Sequence, residues 1–344
     1  MIEEELLRDA FARHEEQAPP LDPLRRAIDA LAARRRRRRT ATRTGAAAVA
    51  VAIALAVPVQ LWRGGVADYV AAIGVESSVV APEGPLNLLL LGLDQRGDMG
   101  EARSDTIMLV HLPADGTAAY LISIERDVAV EIPGEGRRKI NGAYTAGGAQ
   151  GARQAVERLT GVSVDAVAEV KFSALREVTD ALGGLPVCLP QRVTSHHTGK
   201  VYPAGCQGYT GTQVADLVRQ RWGGLAHGAY DRDRIGQRVL LGLVKKAGDR
   251  ALLSDFAMVS RLVSTPGITL HTGDLSLLGL AVRLDRVDAA HIVGVSQPTF
   301  LPVTYGGFPF EKLDPQVAPK LFAALRDDAM NDFISTHPDW VLQE

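Results

Sequence analysis

Carboxylates and arginines punctuate the most apolar part of this sequence. Asp94 and Arg96 follow the run LNLLLLGL, Arg103 and Asp105 precede TIMLVHL, and Glu125, Arg126 and Asp127 follow LISI. Each charged group stands where an apolar segment ends. Two acids at neighbouring segment ends, interleaved with guanidinium groups, suit a phosphate-bound divalent cation: hard oxygens favour Mg²⁺ or Mn²⁺, and guanidinium forks fit phosphate oxygens. Asp94 and Asp105 are the candidate metal ligands, and Arg96, Arg103 and Arg126 the candidate phosphate ligands. Taken singly, such residues are ordinary turn and surface groups, so the reading rests on their shared placement.

A second arginine group lies far along the chain. Arg219 and Arg221 close the segment LVRQR, and Asp231, Arg232, Asp233 and Arg234 open a further helical pattern that also carries Arg238. A helix N-terminus favours anions, and neighbouring arginines strengthen an oligophosphate site. The competing reading is a solvated salt-bridge cluster with Asp231 and Asp233. Cys188 and Cys206 stand 18 residues apart and flank His196 and His197. A Cys/His zinc site lacks CxxC or HxxxH spacing. A disulfide, worth about 3 kcal/mol for such a loop, is preferred if the segment faces an oxidising compartment.

The elements that must hold these groups alternate between strand and helix patterns. Strand character covers 86 to 94, 105 to 112 and 117 to 124, and the first run is continuously apolar, as expected of a central strand covered on both faces. Helical spacing then predicts helices over 149 to 159, 174 to 182, 211 to 221, 234 to 246 and 315 to 330, with strands over 166 to 172 and 185 to 189. The fold class is α/β: a central mixed β-sheet flanked by helices in an αβα arrangement, preceded by one transmembrane helix. Open sheets of this class bind ligands outside their strand ends, where the charged interruptions fall.

Composition narrows the class further. The 344 residues are 46% hydrophobic, enough for a substantial core, which excludes global disorder and a disulfide-dense miniprotein. The net charge of −2 conceals an uneven distribution: 12 basic and 8 acidic residues lie between Met1 and Arg63, against 26 and 32 thereafter. An acidic body argues against nucleic acid as a partner. Residues 44 to 62 contain no charge and follow the block Arg34 to Arg39. A helix of that length spans about 28 Å, close to the hydrocarbon thickness of a bilayer. Basic flanks stay cytoplasmic, which predicts an uncleaved single-pass anchor in the cell membrane with the C-terminal part outside. The resulting division is a cytoplasmic segment (1–43), a transmembrane helix (44–62), a juxtamembrane linker (63–85), a catalytic domain (86–247) and a C-terminal extension packed on the same domain (248–344).

In motif order the chain resembles the LytR-CpsA-Psr (LCP) family of cell-envelope proteins, of the actinobacterial type. The resemblance is carried by GLDQR at 92 to 96, RSDTIMLVHL at 103 to 112, SIERD at 123 to 127, RRKINGAY at 137 to 144, LVRQR at 217 to 221 and DRDRIGQR at 231 to 238. Each motif is short, but their common order makes chance improbable. The resemblance implies a membrane-anchored phosphotransferase that moves a phosphate-linked glycopolymer from a polyprenyl pyrophosphate carrier to peptidoglycan, with pyrophosphatase side activity. It implies that Asp94 and Asp105 hold Mg²⁺ or Mn²⁺, and that Arg103, Arg126, Arg219, Arg221 and Arg234 bind pyrophosphate, with Arg96, Lys139 and Arg238 beside them. Asp105, Arg103, Arg126 and Arg219 are the implied catalytic set, and Tyr144 has a supporting role. An apolar cavity for the isoprenoid chain is also implied, walled by the helices at 149 to 159 and 174 to 182.

Two positions depart from the family pattern. Glu125 replaces a usual Pro and adds negative charge beside Arg126. Gln237 and Arg238 reverse the usual Arg then Gln, which turns the guanidinium by about 100° around the helix. Arg238 still shares a face with Arg234, four residues earlier. These departures keep open a noncatalytic binder of polyprenyl lipid or wall polymer; the resemblance also carries the label of transcriptional regulator, which would require a cytoplasmic domain, and no helix-turn-helix is evident.

Overall fold

The computed structural model describes residues 82–94, 103–220, 229–247, 265–276, 279–280, 283–284, 286–287 and 289–342. The expected anchor at 44–62, the segments on either side of it up to residue 81, Arg96 and Arg221 lie outside the described residues. Among the described residues no helix is long and apolar enough to cross a membrane.

The chain opens with the strands β1 (Leu86–Asp94), β2 (Arg103–Leu112) and β3 (Ala119–Ile124), then the hairpin β4 (Ala129–Ile132) and β5 (Gly136–Lys139). Helix α1 (Gly142–Thr160), β6 (Ala166–Lys171), α2 (Phe172–Ala181) and β7 (Leu185–Leu189) follow, then the short β8 (Val193–Thr194) and β9 (Val201–Tyr202). Next come β10 (Gly205–Tyr209), α3 (Gly211–Leu217) and α4 (Ala229–Ala247). The last part supplies β11 (Ile268–His271), β12 (Ile292–Ser296), β13 (Thr299–Tyr305), β14 (Phe308–Leu313), α5 (Ala318–Arg326) and α6 (Met330–Thr336).

Six strands form the central sheet in the order β11-β6-β1-β2-β3-β12. The sheet is mixed: β1 runs antiparallel to β2 and parallel to β6, while β12 runs parallel to β3. Alternate residues of β1 enter different cores, as its unbroken apolar run predicts. Leu89, Leu91 and Leu93 pack with Ile107, Leu109, α1, α5 and α6. Leu86 and Leu88 pack on the other face with Met108, Val110, and Leu240 and Val244 of α4. The αβα arrangement follows directly. Both edge strands come from beyond residue 247, so the C-terminal segment completes the sheet itself.

Helix boundaries differ where the backbone turns unexpectedly. Helix α1 begins at Gly142, before the expected 149, because two helical segments meet at a break where Gly148 has φ 59°. The helix expected over 315 to 330 is two helices, divided at Asp328 with φ 55°. Asp328 accepts from the Ala114 backbone N–H at 2.9 Å and lies 2.9 Å from buried His111 Nε2, tying that corner to β2. Cys188 and Cys206 are directly opposite on β7 and β10 and form a disulfide, so they supply no thiolates for zinc.

Candidate functional site at the ends of the central strands

The charged groups gather where β1 leaves the sheet and β2 enters it. The register of this pair shifts after Gly92: Gly92 lies opposite Thr106 but Leu93 opposite Ser104, which leaves Asp105 as the extra residue of a β-bulge. A bulge turns a side chain out of the strand's alternation, a common device at functional sites. Gly92 is needed there, since a Cβ would come within 2.9 Å of Thr106 Cβ. One residue pair further, Asp94 lies opposite Arg103.

The neighbouring strand end contributes Arg126. Its Nη1 donates to Asp105 Oδ1 at 2.7 Å, with both side chains 14% exposed. Among the described residues its buried Nε has no hydrogen-bond partner and stands 3.9 Å from Asp127 Oδ1. A buried, unsatisfied guanidinium N–H is costly, and an anionic oxygen would satisfy it. Lys139 at the end of β5 reaches the same Asp127 oxygen at 3.1 Å. After α3, Arg219 Nη2 lies 3.8 Å from Asp94 Oδ1, with its guanidinium carbon 5.9 Å from the centre of the Phe172 ring. Arg219 is held through its turn: Asp216 binds Ser195, Tyr202 and Gln220, and Gln220 accepts from the His196 backbone N–H. Asp94, Arg103, Asp105, Arg126, Lys139 and Arg219 therefore form one contiguous group.

Arg234 and Arg238 share a face of α4, as their spacing predicts, and line a second cavity with Asp231, Ile235 and Val193. Neither the two candidate metal acids nor Arg103, Arg126 and Arg219 line that cavity. Tyr144 donates to Glu169 at 2.8 Å, tying α1 to β6; burial and the adjacent carboxylate raise its pKa. Its role is to support the fold beside the site.

An apolar cavity of about 100 Å³ lies directly behind the bulge, lined by Gly92, Thr106, Met108, Phe172, Val178 and Val239 among others. It has the expected α2 as a wall, but its other wall is α4. The helix at 149 to 159 does not line it. Ala152, Ala155 and Val156 of that helix are spent on the core of the opposite face of the sheet.

Two carboxylates on adjacent strand ends fit Mg²⁺, which takes one or two protein carboxylates together with substrate phosphates and water. Among the described residues there is no cluster of three or more His, Cys, Asp or Glu able to hold a metal by itself.

The model of the LytR_cpsA_psr family matches residues 67–298. The chain belongs to the LytR-CpsA-Psr family. It is 33% identical over 247 residues to LcpB of Corynebacterium glutamicum, a probable cell wall biosynthesis protein, covering 65% of this chain and 58% of LcpB. It is 31% identical over 189 residues to TagU of Bacillus mycoides, a polyisoprenyl-teichoic acid–peptidoglycan teichoic acid transferase, covering 54% of this chain and 60% of TagU. The chain thus spans less than two thirds of the length of these relatives. A solved structure, TagT bound to LIIa-WTA, superposes with a TM-score of 0.59 at 25% identity, covering 75% of this chain and 98% of TagT.

Both departures from the LytR-CpsA-Psr pattern have structural partners. Glu125 is 2% exposed and is met by Arg232 Nη2 at 3.0 Å, while the same nitrogen donates to Asp233 at 3.1 Å. Its charge is therefore neutralised inside the fold. Burial, and next the neighbouring Glu125, push the Asp233 carboxyl well above the ordinary carboxylate range, against the opposing pull of Arg232. The solvated cluster considered for Asp231 and Asp233 does not describe Asp233, whose side chain is only 11% exposed and is bonded to Arg232. Arg232 had no assigned role in the sequence. The only signal available was the coexistence of two unusual charges, Glu125 and Arg232, 107 residues apart.

Gln237 is fully buried, and its Nε2 donates to the carbonyls of Leu121 and Val295, both at 2.9 Å. It stitches α4 to the seam between β3 and β12. Its position is accounted for by this packing, with no redirected phosphate ligand required.

Proposed function

We propose that this chain transfers a phosphate-linked glycopolymer from a polyprenyl pyrophosphate carrier to peptidoglycan. The observation that carries the reading is the adjacency of two unlike surfaces. Gly92 and Thr106 line an apolar cavity suited to an isoprenoid, and Asp94, Asp105 and Arg126 stand immediately outside it. An amphiphile with a prenyl tail and a pyrophosphate head matches that succession. The names of TagU, a teichoic acid transferase, and of TagT bound to LIIa-WTA support the same class of substrate.

In this reading Arg103, Arg126, Lys139 and Arg219 bind the nonbridging phosphate oxygens, joined by Arg96 and Arg221, while Arg234 and Arg238 line the separate cavity and contact a more distant part of the substrate. The acceptor's hydroxyl oxygen bonds to the glycan-bearing phosphorus as the bond to polyprenyl phosphate breaks, and the hydroxyl proton passes to a site carboxylate. Charge grows on the nonbridging and leaving oxygens, so preorganised guanidinium groups provide much of the stabilisation. Asp94 and Asp105 would hold Mg²⁺ or Mn²⁺, which supplies further neutralisation of the pyrophosphate. With water as acceptor the same geometry gives the pyrophosphatase side activity. The uncharged stretch at 44–62, with arginines before it, supports a single-pass anchor that leaves the domain outside the cytoplasm.

The test is release of polyprenyl phosphate from a polyprenyl pyrophosphate glycolipid by the full-length protein with Mg²⁺. Release that is lost in Asp105→Asn supports the proposal. Absence of release under conditions where TagU turns over would overturn it.

A further inference from the structure

A groove of about 870 Å³ runs from Arg103, two residues before Asp105, past Arg138, Lys139 and Asn141 to Tyr305 and Phe308. Its far wall is the β13–β14 hairpin, which has no place in the phosphate chemistry. Phe308 is 69% exposed and Tyr305 37%, and they are register partners on either side of the turn. The turn residues Gly306 and Gly307 have φ 55° and 82°, the two positive values that a tight hairpin turn requires. The two rings are thus presented by a short, stiff support. The Arg137 guanidinium carbon sits 4.8 Å from the centre of the Tyr305 ring. The opposite wall alternates donors and acceptors: Arg137 pairs with Glu131 at 2.9 Å and Arg138 with Glu135 at 3.4 Å.

Exposed aromatic rings are costly to leave in water and mark contact surfaces. A pyranose offers a flat C–H face for such rings and a rim of hydroxyls that both donate and accept. The Arg and Glu pairs of that wall offer the rim both donors and acceptors. Position adds a second argument. Arg103 lines the groove and Thr106 lines the apolar cavity, with the bulged Asp105 between them. The groove thus begins within three residues of the cavity's own lining, so an acceptor held in it lies next to the place where a prenyl phosphate would sit. We infer that this groove binds the acceptor glycan, with Tyr305 and Phe308 as its stacking platform. The acceptor role rests on the transfer reading above, while glycan binding does not.

Titration calorimetry on the full-length protein in detergent tests this, using a neutral β-1,4-linked N-acetylglucosamine tetramer as probe. Phe308→Ala and Tyr305→Ala should each weaken binding about tenfold with an unchanged melting temperature, and Phe308→Trp should restore it. Asp105→Asn should leave glycan affinity intact. If the wild type releases no polyprenyl phosphate while Phe308→Ala loses glycan binding, the transfer reading fails and the platform stands. Equal affinity in wild type and Phe308→Ala would overturn the inference. So would failure to bind the tetramer together with Phe308-dependent binding to phosphatidylglycerol vesicles.

Discussion

Arg126 donates to Asp105 across 2.7 Å, so a proposed phosphate ligand and a proposed metal ligand already hold each other. The pair joins the ends of the neighbouring strands β2 and β3 and leaves the buried Arg126 Nε with no hydrogen-bond acceptor among the described residues. Such an ion pair keeps both groups ordered before substrate arrives, and one nitrogen in reserve for it.

Arg126→Ala should therefore lower polyprenyl phosphate release by about 10²- to 10³-fold, the usual cost of removing one preorganised donor. Arg126→Lys should recover little, because a point charge cannot serve Asp105 and a phosphate oxygen in the same plane. Steady-state turnover with melting curves as a folding control measures both effects.

The Glu125–Arg232–Asp233 cluster should show in the pH dependence of stability. Asp233 keeps its proton more tightly folded than unfolded. Its contribution is full below the unfolded value of about 4 and is lost as pH rises through the higher folded value. Asp233→Asn mimics the protonated acid, so it should match wild type near pH 4 and melt higher than wild type as pH rises. Melting temperatures of the two proteins across pH 4 to 9 decide it.

Arg232→Met should be far more damaging. It leaves Glu125 buried at 2% exposure with its counter-ion gone, a loss of about 3–5 kcal/mol when one partner of a buried pair is removed. Chemical denaturation is the direct measurement, and the double variant Arg232→Met with Glu125→Met should regain most of the loss.

Restoring the family's order with Gln237→Arg and Arg238→Gln should destabilise the protein without raising turnover. A guanidinium at 237 has no room, since a Cβ on Gly294 would already meet Gln237 Oε1 at 2.8 Å. Losing the two hydrogen bonds to Leu121 and Val295 leaves buried carbonyls unpaired, at about 1–3 kcal/mol each. Denaturation midpoints and release assays on the double variant separate these outcomes.

Reduction should lower stability by about 3 kcal/mol if the Cys188–Cys206 loop behaves as an entropic cross-link. Cys188→Ser with Cys206→Ser should melt at the temperature of the reduced wild type and no longer respond to reductant.

Much of the fold was legible because β1 is apolar at nearly every position, which only a strand covered on both faces tolerates. Asp94, Asp105 and Arg126 were visible as charges ending apolar runs. The bulge at Asp105 was not, because register is a property of two strands and one strand's sequence does not contain it. Nor was the Arg232–Glu125 pair, whose partners are joined only by the packing of α4 on the sheet. The apolar stripe of α1 looked as suitable for a lipid cavity as that of α2, while α4 carried no such sign. Periodicity identifies a buried face without saying which layer buries it. The hairpin β13–β14 escaped because its rings are exposed and its strands lack a core-facing alternation.

The strand β12, at residues 292–296, pairs with β3 at 119–123. In a chain made from its N-terminus, β3 must wait for almost the whole protein before its outer edge is covered. Contacts of such long separation are slow to form, and an uncovered edge pairs readily with other chains. Arg126, two residues past the end of β3, thus follows a strand whose outer edge is completed late. A chain interrupted before residue 292 would carry every acid and arginine of the site and still leave the outer edge of β3 open to pairing with other chains.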